Sequence, residues 1–225
     1  MRYFKELTKF EFWLWALSVV IVTLSFVLAP DKDFLSLSAS LVGVTALIFV
    51  AKGYVIGQVL CVIFAVFYGI ISLLFKYYGE AITYLCMSLP MAICVAIQWH
   101  KNPYKNSNEV TIKDIKKKEI FILIILAIIV TVIFYFILKV LGTANLFFST
   151  LSITTSFIAA YLTYLRSPYY AIGYCVNDIV LIVLWVLASI EDTAYIPMIF
   201  CFIMFFANDI YGFINWRRMK EKQTE

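Results

Sequence analysis

Long apolar stretches, each long enough to cross a bilayer, alternate with short polar segments along the whole chain. A helix needs roughly 17 to 25 mainly apolar residues to cross about 30 Å of hydrocarbon. Eight segments meet this requirement, namely Phe10–Ala29, Phe34–Ala51, Tyr54–Phe75, Ala81–Trp99, Glu119–Val140, Leu146–Leu165, Pro168–Ala188 and Ala194–Trp216. The pattern therefore predicts an all-α integral membrane protein with eight transmembrane helices.

The composition agrees with this prediction. Of the 225 residues, 64% are hydrophobic and only 14% are charged, and the mean hydropathy is +0.93, far outside the range of soluble domains. The first span could instead be a cleaved signal peptide, because it follows a basic stretch. However, its apolar run exceeds the roughly 7 to 15 residues of a signal peptide, and Pro30 after Ala29 is a poor cleavage context. We therefore expect this span to remain as a helix.

The basic residues predict the orientation of the chain, because Lys and Arg collect in short loops on the cytoplasmic side. With a cytoplasmic N-terminus, all of the 18 Lys and Arg residues except Lys32, Lys76 and Lys139 fall on the cytoplasmic side. We therefore expect a multi-pass protein of the plasma membrane with both termini in the cytoplasm. These loops also explain the net charge of +4, so the lipid bilayer is an expected partner and nucleic acid is not.

Two parts of the chain resemble each other. AIQWHKN closes the fourth span and FINWRRM closes the eighth, while SLSASLVGVTAL and STLSITTSFI open the second and the sixth. Both units start on the same side of the membrane, so we predict two parallel three-helix repeats at 34–100 and 146–217, as in the SWEET sugar carriers. Residues 101–145 would form a cytoplasmic loop and a linker helix, residues 1–33 an extra N-terminal helix, and residues 218–225 a cytoplasmic tail. Shared apolar composition is the alternative explanation of the similarity.

Polar and aromatic residues recur at intervals of three or four along three spans, which places them on one face of each helix. The substrate-binding residues predicted in this way are Gln58 and Tyr68 in the third span, Tyr170, Tyr174, Asn177, Asp178 and Trp185 in the seventh, and Asn208 and Tyr211 in the eighth. Such faces cannot lie against lipid, because an unpartnered amide in hydrocarbon costs several kcal/mol. They either join helices, at about 0.6 kcal/mol for each hydrogen bond, or line a pocket for a planar, hydrogen-bonding ring.

The triplet Asn-Asp-Ile occurs twice, at 177–179 and at 208–210. Ionisable residues at membrane depth are functional candidates by default. Each Asp is turned about 100° away from its Asn, so we expect one residue of each pair to face the pocket and the other to serve packing. Asp178 and Asp209 also raise the alternative of a proton- or sodium-coupled carrier.

Little in the sequence points to catalysis or to a bound cofactor. His100 is the only histidine, and the five cysteines lie inside predicted spans without a C-x-x-C pair, so we expect no metal site, disulfide or cofactor. The chain has no G-x-x-x-x-G-K-[ST] phosphate-binding motif and no residue set typical of an enzyme that acts on lipid. A carrier is therefore expected rather than an enzyme, an ATP-driven pump or a purely structural protein.

Three segments carry a resemblance to a known family. YYGEAITYLCMSLPM, IQWHKN and above all the closing NDIYGFINWRR resemble the bacterial nicotinamide riboside transporter family known as PnuC. The resemblance implies a SWEET-like fold and a homotrimer. It also implies facilitated diffusion (uniport) of a vitamin precursor that is trapped by phosphorylation in the cytoplasm.

The seventh span departs from the pattern of this family, which is Trp-x-x-Trp-x-x-x-Asn. The matching positions hold Tyr170, Gly173 and Asn177, so the Asn is kept while one Trp becomes Tyr and the other loses its ring. A cationic pyridinium gains about 0.5 to 2 kcal/mol from stacking on an aromatic face, most of all on Trp. The sequence therefore predicts a carrier for nicotinamide riboside or a related nucleoside, with ordinary ribonucleosides or deoxyribonucleosides as the alternative.

Overall fold

A computed structural model describes residues 3–30, 33–74, 78–105 and 107–224 of the chain. Its helices are α1 (Lys9–Leu28), α2 (Phe34–Ala51), α3 (Val55–Leu74), α4 (Tyr78–His100), α5 (Lys117–Val140), α6 (Leu146–Tyr164), α7 (Tyr170–Glu191) and α8 (Ile196–Thr224). All eight are long and apolar enough to cross a membrane, which confirms the predicted spans. Some residues named or quoted in the sequence analysis lie outside the described ranges, namely Lys32, Phe75, Lys76 and Tyr77.

The largest difference from the predicted spans is at the end of the chain. We expected the last helix to end at Trp216, but α8 continues to Thr224. Its polar last turns are held by partners from another segment: Lys220 pairs with Asp114, and Gln223 bonds the backbone near Ile112. The predicted cytoplasmic tail is therefore an extension of the helix.

The helices pack in two similar groups. In the first group α3 contacts both α2 and α4, and in the second group α7 contacts both α6 and α8. The groups meet through two equivalent contacts, because α2 packs against α8 and α6 packs against α4. The remaining helices lie outside this core: α1 packs against α2 and α8, and α5 packs against α6.

A buried ion pair fixes α1 to the core. The Lys52 Nζ atom lies 3.0 and 3.1 Å from the two carboxylate oxygens of Glu11, and only 2% of Glu11 is exposed. The hydroxyl of Tyr211 donates a hydrogen bond of 2.7 Å to the same carboxylate. Since Lys52 follows α2 and Tyr211 is on α8, this contact joins α1 to both helices on which it packs.

The segment between α4 and α5 lies across the end of the bundle at which the first and last described residues of the chain are found. Asn108 donates to Glu6, near the start of the chain, over 3.0 Å. Near the other end of the chain, Gln223 Oε1 accepts a bond of 2.7 Å from the amide of Ile112. We call this end of the bundle the terminal end, and residues 110–113 the strap.

The strap is hydrogen-bonded to the turn that connects the first two helices of each group. The amide of Val110 donates to the carbonyl of Gly53 (2.9 Å), and the amide of Lys113 donates to the carbonyl of Arg166 (3.1 Å). Gly53 follows α2 and Arg166 follows α6, and both have a positive φ, +69° and +59°. The strap therefore joins two turns of the same left-handed geometry, one from each group.

Two tryptophans close the core beneath the strap. Trp99 and Trp216 are completely buried, and their ring centroids lie 5.3 Å apart. The indole N–H of Trp99 donates to the carbonyl of Thr163 (2.9 Å), and that of Trp216 donates to the carbonyl of Val50 (3.0 Å). Thr163 and Val50 each lie three residues before the positive-φ residue of their turn, so the two bonds are equivalent.

Candidate substrate cavity

A cavity of about 470 Å³ lies among the helices at the end opposite to the terminal end. Its mouth is formed by the α5–α6 loop, including Gly142 and Thr143, and by Glu191 and Tyr195 between α7 and α8. Its walls descend along α3, α4, α6 and α7 as far as Asn177. We call it the outer cavity.

A second cavity, of about 150 Å³, lies deeper in the core and is called the inner cavity. The two cavities have several wall residues in common, namely Tyr84, Ser88, Ser156, Asn177, Leu181 and Phe202. The inner cavity continues toward the terminal end and includes Gln58, Tyr174, Asp178 and Asp209 in its wall. Together the cavities define a route from the open end to the middle of the bundle.

Asn177 is held by a neighbouring helix. The Thr155 hydroxyl on α6 donates a hydrogen bond of 2.8 Å to Asn177 Oδ1. Because the carbonyl oxygen of this amide already accepts, the NH₂ group is the part that remains to donate to a ligand. Asn177 lines both cavities, so this donor is placed where they meet.

Two other wall residues have buried polar atoms without a hydrogen-bond partner in the described part of the chain: Trp185 Nε1 in the outer cavity and Asp178 Oδ2 in the inner cavity. Buried polar groups in native proteins are nearly always paired. Each of these atoms is therefore a candidate contact for a ligand or for water in the cavities.

The wall contributed by α4 has an irregular backbone. Thr83–Ser88 form a π-helical turn, in which the amide of Leu89 donates to the carbonyl of Tyr84, five residues earlier. Pro90 follows and has no amide hydrogen for the bond that a regular helix would make to the residue four places before it. The wide turn places Tyr84 and Ser88 at both cavities, and such turns are frequent at functional sites.

Comparison with known proteins identifies the family. A family model described as nicotinamide mononucleotide transporter matches residues 33–218. The chain belongs to this family. The nicotinamide riboside transporter PnuC of Neisseria mucosa is 25% identical over 204 residues, which is 88% of this chain and 77% of that protein. A crystal structure of the vitamin B3 transporter PnuC matches with a TM-score of 0.81 at 24% identity, over 96% of this chain and 94% of the other.

These findings confirm the resemblance to PnuC and the all-helical membrane fold. They also confirm that the chain is a transporter and not an enzyme, because its relatives in the nicotinamide mononucleotide transporter family are transporters. The family model begins at residue 33, so the match starts at α2 and leaves α1 outside it.

Six of the predicted site residues line the cavities of this family member. Tyr68 and Trp185 line the outer cavity, while Gln58, Tyr174 and Asp178 line the inner cavity, and Asn177 lines both. Asp209, which was expected to serve either the pocket or the packing, also lines the inner cavity.

The structure places the other three predicted residues away from both cavity walls. Asn208 donates to Ser18 on α1 (3.0 Å), and Tyr211 bonds Glu11 on the same helix. Tyr170 is fully buried against Trp216, with ring centroids 4.7 Å apart. In this conformation the polar face of α8 points toward α1, and Tyr170 belongs to the closed packing at the terminal end.

The structure gives a packing explanation for the departure from the family pattern at Gly173. A Cβ atom at Gly173 would lie 3.0 Å from the Cα of Ala159 on α6, so this position faces a close helix contact rather than a cavity. A side chain at this position would press against the backbone of α6. The rings that face the cavities come from other positions, namely Tyr68, Tyr84, Tyr174 and Trp185.

Sequence reasoning missed the contribution of α4 and α6 to the walls. Glu80, Tyr84 and Ser88 on α4, and Ser152 and Ser156 on α6, all line a cavity. On α4, Glu80, Tyr84 and Ser88 recur at an interval of four, so this face could have been predicted from the same spacing. On α6 the Ser- and Thr-rich stretch was recognised only as part of a repeat.

Proposed function

We propose that this chain is a carrier that takes up nicotinamide riboside, a nucleoside with a positively charged pyridinium ring, by facilitated diffusion. The observation that carries the proposal is the chemistry of the cavity walls. Amides, hydroxyls and aromatic rings converge there with carboxylates, and no basic residue is found among the described wall residues. The matching family and the relative from Neisseria mucosa are named for nicotinamide compounds, which supports this choice of substrate.

The walls offer a partner for each part of this molecule. Tyr68 and Tyr84 have ring centroids 4.6 Å apart and present aromatic surface to a flat cation, which is attracted to the face of such rings. Asn177 and Gln58 can bond the carboxamide, and serine hydroxyls can bond the ribose. A volume of about 470 Å³ is within the range of roughly 300–1,000 Å³ that is usual for small-molecule pockets.

The same walls favour a nucleoside over its phosphorylated form. A phosphate group is normally bound by Arg, Lys or a helix N-terminus. Here the outer cavity instead contains Glu80 and Glu191, and the inner cavity contains Asp178 and Asp209. A phosphate would meet negative charge along the whole route, so we propose the riboside as substrate and not the mononucleotide.

Transport would occur by alternating access between two parallel three-helix repeats, α2–α4 and α6–α8, with α5 as the linker and α1 as the extra helix. The equivalent contacts of α2 with α8 and of α6 with α4 support this division. In this conformation the route is open at one end, while Trp99, Trp216 and the strap close the other. Rocking of the repeats would reverse this arrangement, as in other SWEET-like carriers.

The terminal end would face the cytoplasm of the cell and the outer cavity the exterior, because nearly all Lys and Arg residues fall on the terminal side. We place the protein in the plasma membrane, as a homotrimer on the strength of the family resemblance. Net uptake would then depend on phosphorylation of the substrate in the cytoplasm, which removes it from the equilibrium.

The proposal is tested by uptake into liposomes that contain the purified protein. We expect labelled nicotinamide riboside to equilibrate without a proton or sodium gradient, and excess unlabelled nicotinamide riboside to compete. Nicotinamide mononucleotide at the same concentration should not compete. The Asn177→Ala variant should fold normally and lose most of the uptake, because the donor at the meeting point of the cavities is removed.

Other outcomes would select the alternatives. Competition by uridine or deoxycytidine with none by nicotinamide riboside would assign the chain to ordinary nucleosides. Accumulation of free substrate above its external concentration, only when a proton or sodium gradient is imposed, would show an ion-coupled carrier. The acidic pair Asp178 and Asp209 is the feature that makes this second alternative worth the measurement.

A further inference from the structure

Two carboxylates from different helices meet in the wall of the inner cavity. Asp178 on α7 and Asp209 on α8 are 3% and 4% exposed, and both line the inner cavity. One oxygen of Asp178 is buried without a hydrogen-bond partner in the described part of the chain. The pair therefore retains unused acceptor capacity.

The described residues around the pair offer no compensating charge in the cavity walls. The other polar side chains in the same wall include Gln58, Cys61 and Tyr174, which are an amide, a thiol and a phenol. No Lys, Arg or His occurs among the described residues that line either cavity. Two acidic groups in one small apolar cavity do not readily both ionise, but the pair can hold one negative charge when a cation lies beside it.

An uncompensated charge is costly in a low-dielectric interior, and the usual compensation is a partner of opposite sign or a bound cation. The helices supply such a partner elsewhere: buried Glu11 is paired with Lys52. At the inner cavity the compensating charge is absent from the described walls, while a cavity of about 150 Å³ lies beside the pair. A cationic ligand that enters this cavity would supply the missing positive charge.

We propose that the Asp178–Asp209 pair determines the charge specificity of this carrier, favouring a permanently cationic ring over a molecule of the same shape without the charge. This inference rests on the proposed function, because it assumes a nucleoside-like ligand in these cavities. The amides and rings of the walls recognise shape and hydrogen bonding, which the cationic and neutral forms have in common. The acidic pair is the part of the site that distinguishes them.

Nicotinamide riboside and its dihydro form provide a matched pair of probes. Both have the same ribose and carboxamide, but the pyridinium ring of the first is cationic and the dihydropyridine ring of the second is neutral. Binding of each is measured by thermal stabilisation of the purified full-length protein, and uptake of each by competition in liposomes. We expect the wild-type protein to bind the cationic form more tightly by a factor of about ten or more.

The test variants are Asp178→Asn and Asp209→Asn, separately and together. Asparagine keeps the size and a hydrogen-bonding group, so the contact between the two helices can be retained without the charge. We expect the preference for the cationic form to fall to within about threefold in the double variant, with the affinity for the neutral form little changed. The control is Asp192→Asn, at an exposed position outside both cavity walls, where asparagine can cap the following turn as aspartate does.

The wild-type comparison keeps the proposal testable if a variant does not fold. Equal binding of the two forms by the wild-type protein would overturn the inference and leave the proposed function intact. A preference that persists in a folded double variant would also overturn it. If neither form binds and neutral ribonucleosides do, both the inference and the proposed function fail.

Discussion

Removing the charge of Glu11 should strongly destabilise the protein, because Lys52 would be left buried and unpaired. Glu11 is 2% exposed, and its two oxygens lie 3.0 and 3.1 Å from Lys52 Nζ. Removing one partner of a buried ion pair typically costs about 3 to 5 kcal/mol. For a chain of this size, 1 kcal/mol corresponds to about 2 to 4 °C in melting temperature. The Glu11→Gln variant in detergent should therefore melt roughly 6 to 20 °C below the wild type.

Glutamine is the appropriate replacement because it isolates the charge. Glu11 also accepts a 2.6 Å bond from the amide of Thr8 in the capping box of α1, and glutamine serves the same role in such boxes. Adding Lys52→Met removes the second charge while keeping a long side chain. The double variant should recover most of the lost stability, since apolar replacement of a buried pair is often neutral. A double variant no more stable than Glu11→Gln would refute the argument that the unpaired lysine causes the loss.

Three further predictions address the strap, the cavity and the α6–α7 contact. Gln223→Ala removes both side-chain hydrogen bonds to the strap, each of which contributes about 0.5–1.5 kcal/mol. Hydrogen exchange of the strap amides should therefore become faster. Unchanged exchange would show that Gln223 does not hold the strap. Thr155→Val removes the bond that orients Asn177, and nicotinamide riboside should bind about two- to tenfold more weakly in thermal-shift titrations, with little change in the melting temperature of the free protein. Gly173→Trp should destabilise the fold by at least about 1 to 3 kcal/mol, because its side chain would meet Ala159; a stable variant that binds nicotinamide riboside more tightly would contradict the placement of this position.

The sequence allowed the fold to be predicted further than the site. Apolar length alone located the eight helices, because in a membrane the length of a span is set by the bilayer. The helical period also showed which residues share a face, but it does not say which neighbour that face meets. Asn208 and Tyr211 lie on a polar face as expected, yet α8 has α1 on that side, and their bonds go to Ser18 and Glu11.

The sequence pattern also did not predict how far along a helix each residue lies from the cavities. Tyr170 and Asn177 lie on one face of α7, seven residues apart, which is about two turns or 10 Å. That distance separates the meeting point of the cavities at Asn177 from the closed packing at Tyr170, which contacts Trp216. Glu80, Tyr84 and Ser88 on α4 do recur at an interval of four, but spacing alone does not show that this face meets the same cavity as α7.

The position of the strap within the chain has a consequence for how such carriers are built. The strap lies in the segment between α4 and α5, which is part of the covalent connection between the two groups of helices. Its hydrogen bonds to Gly53 and Arg166 hold the terminal end closed. Two separate three-helix chains could assemble the same cavities, but they would have no peptide to hold that end shut. Joining the two halves in one polypeptide therefore adds hydrogen bonds that hold this end closed, in addition to the covalent link. Insertions or deletions in the α4–α5 segment should therefore impair the protein much more than changes of the same size in the α1–α2 loop.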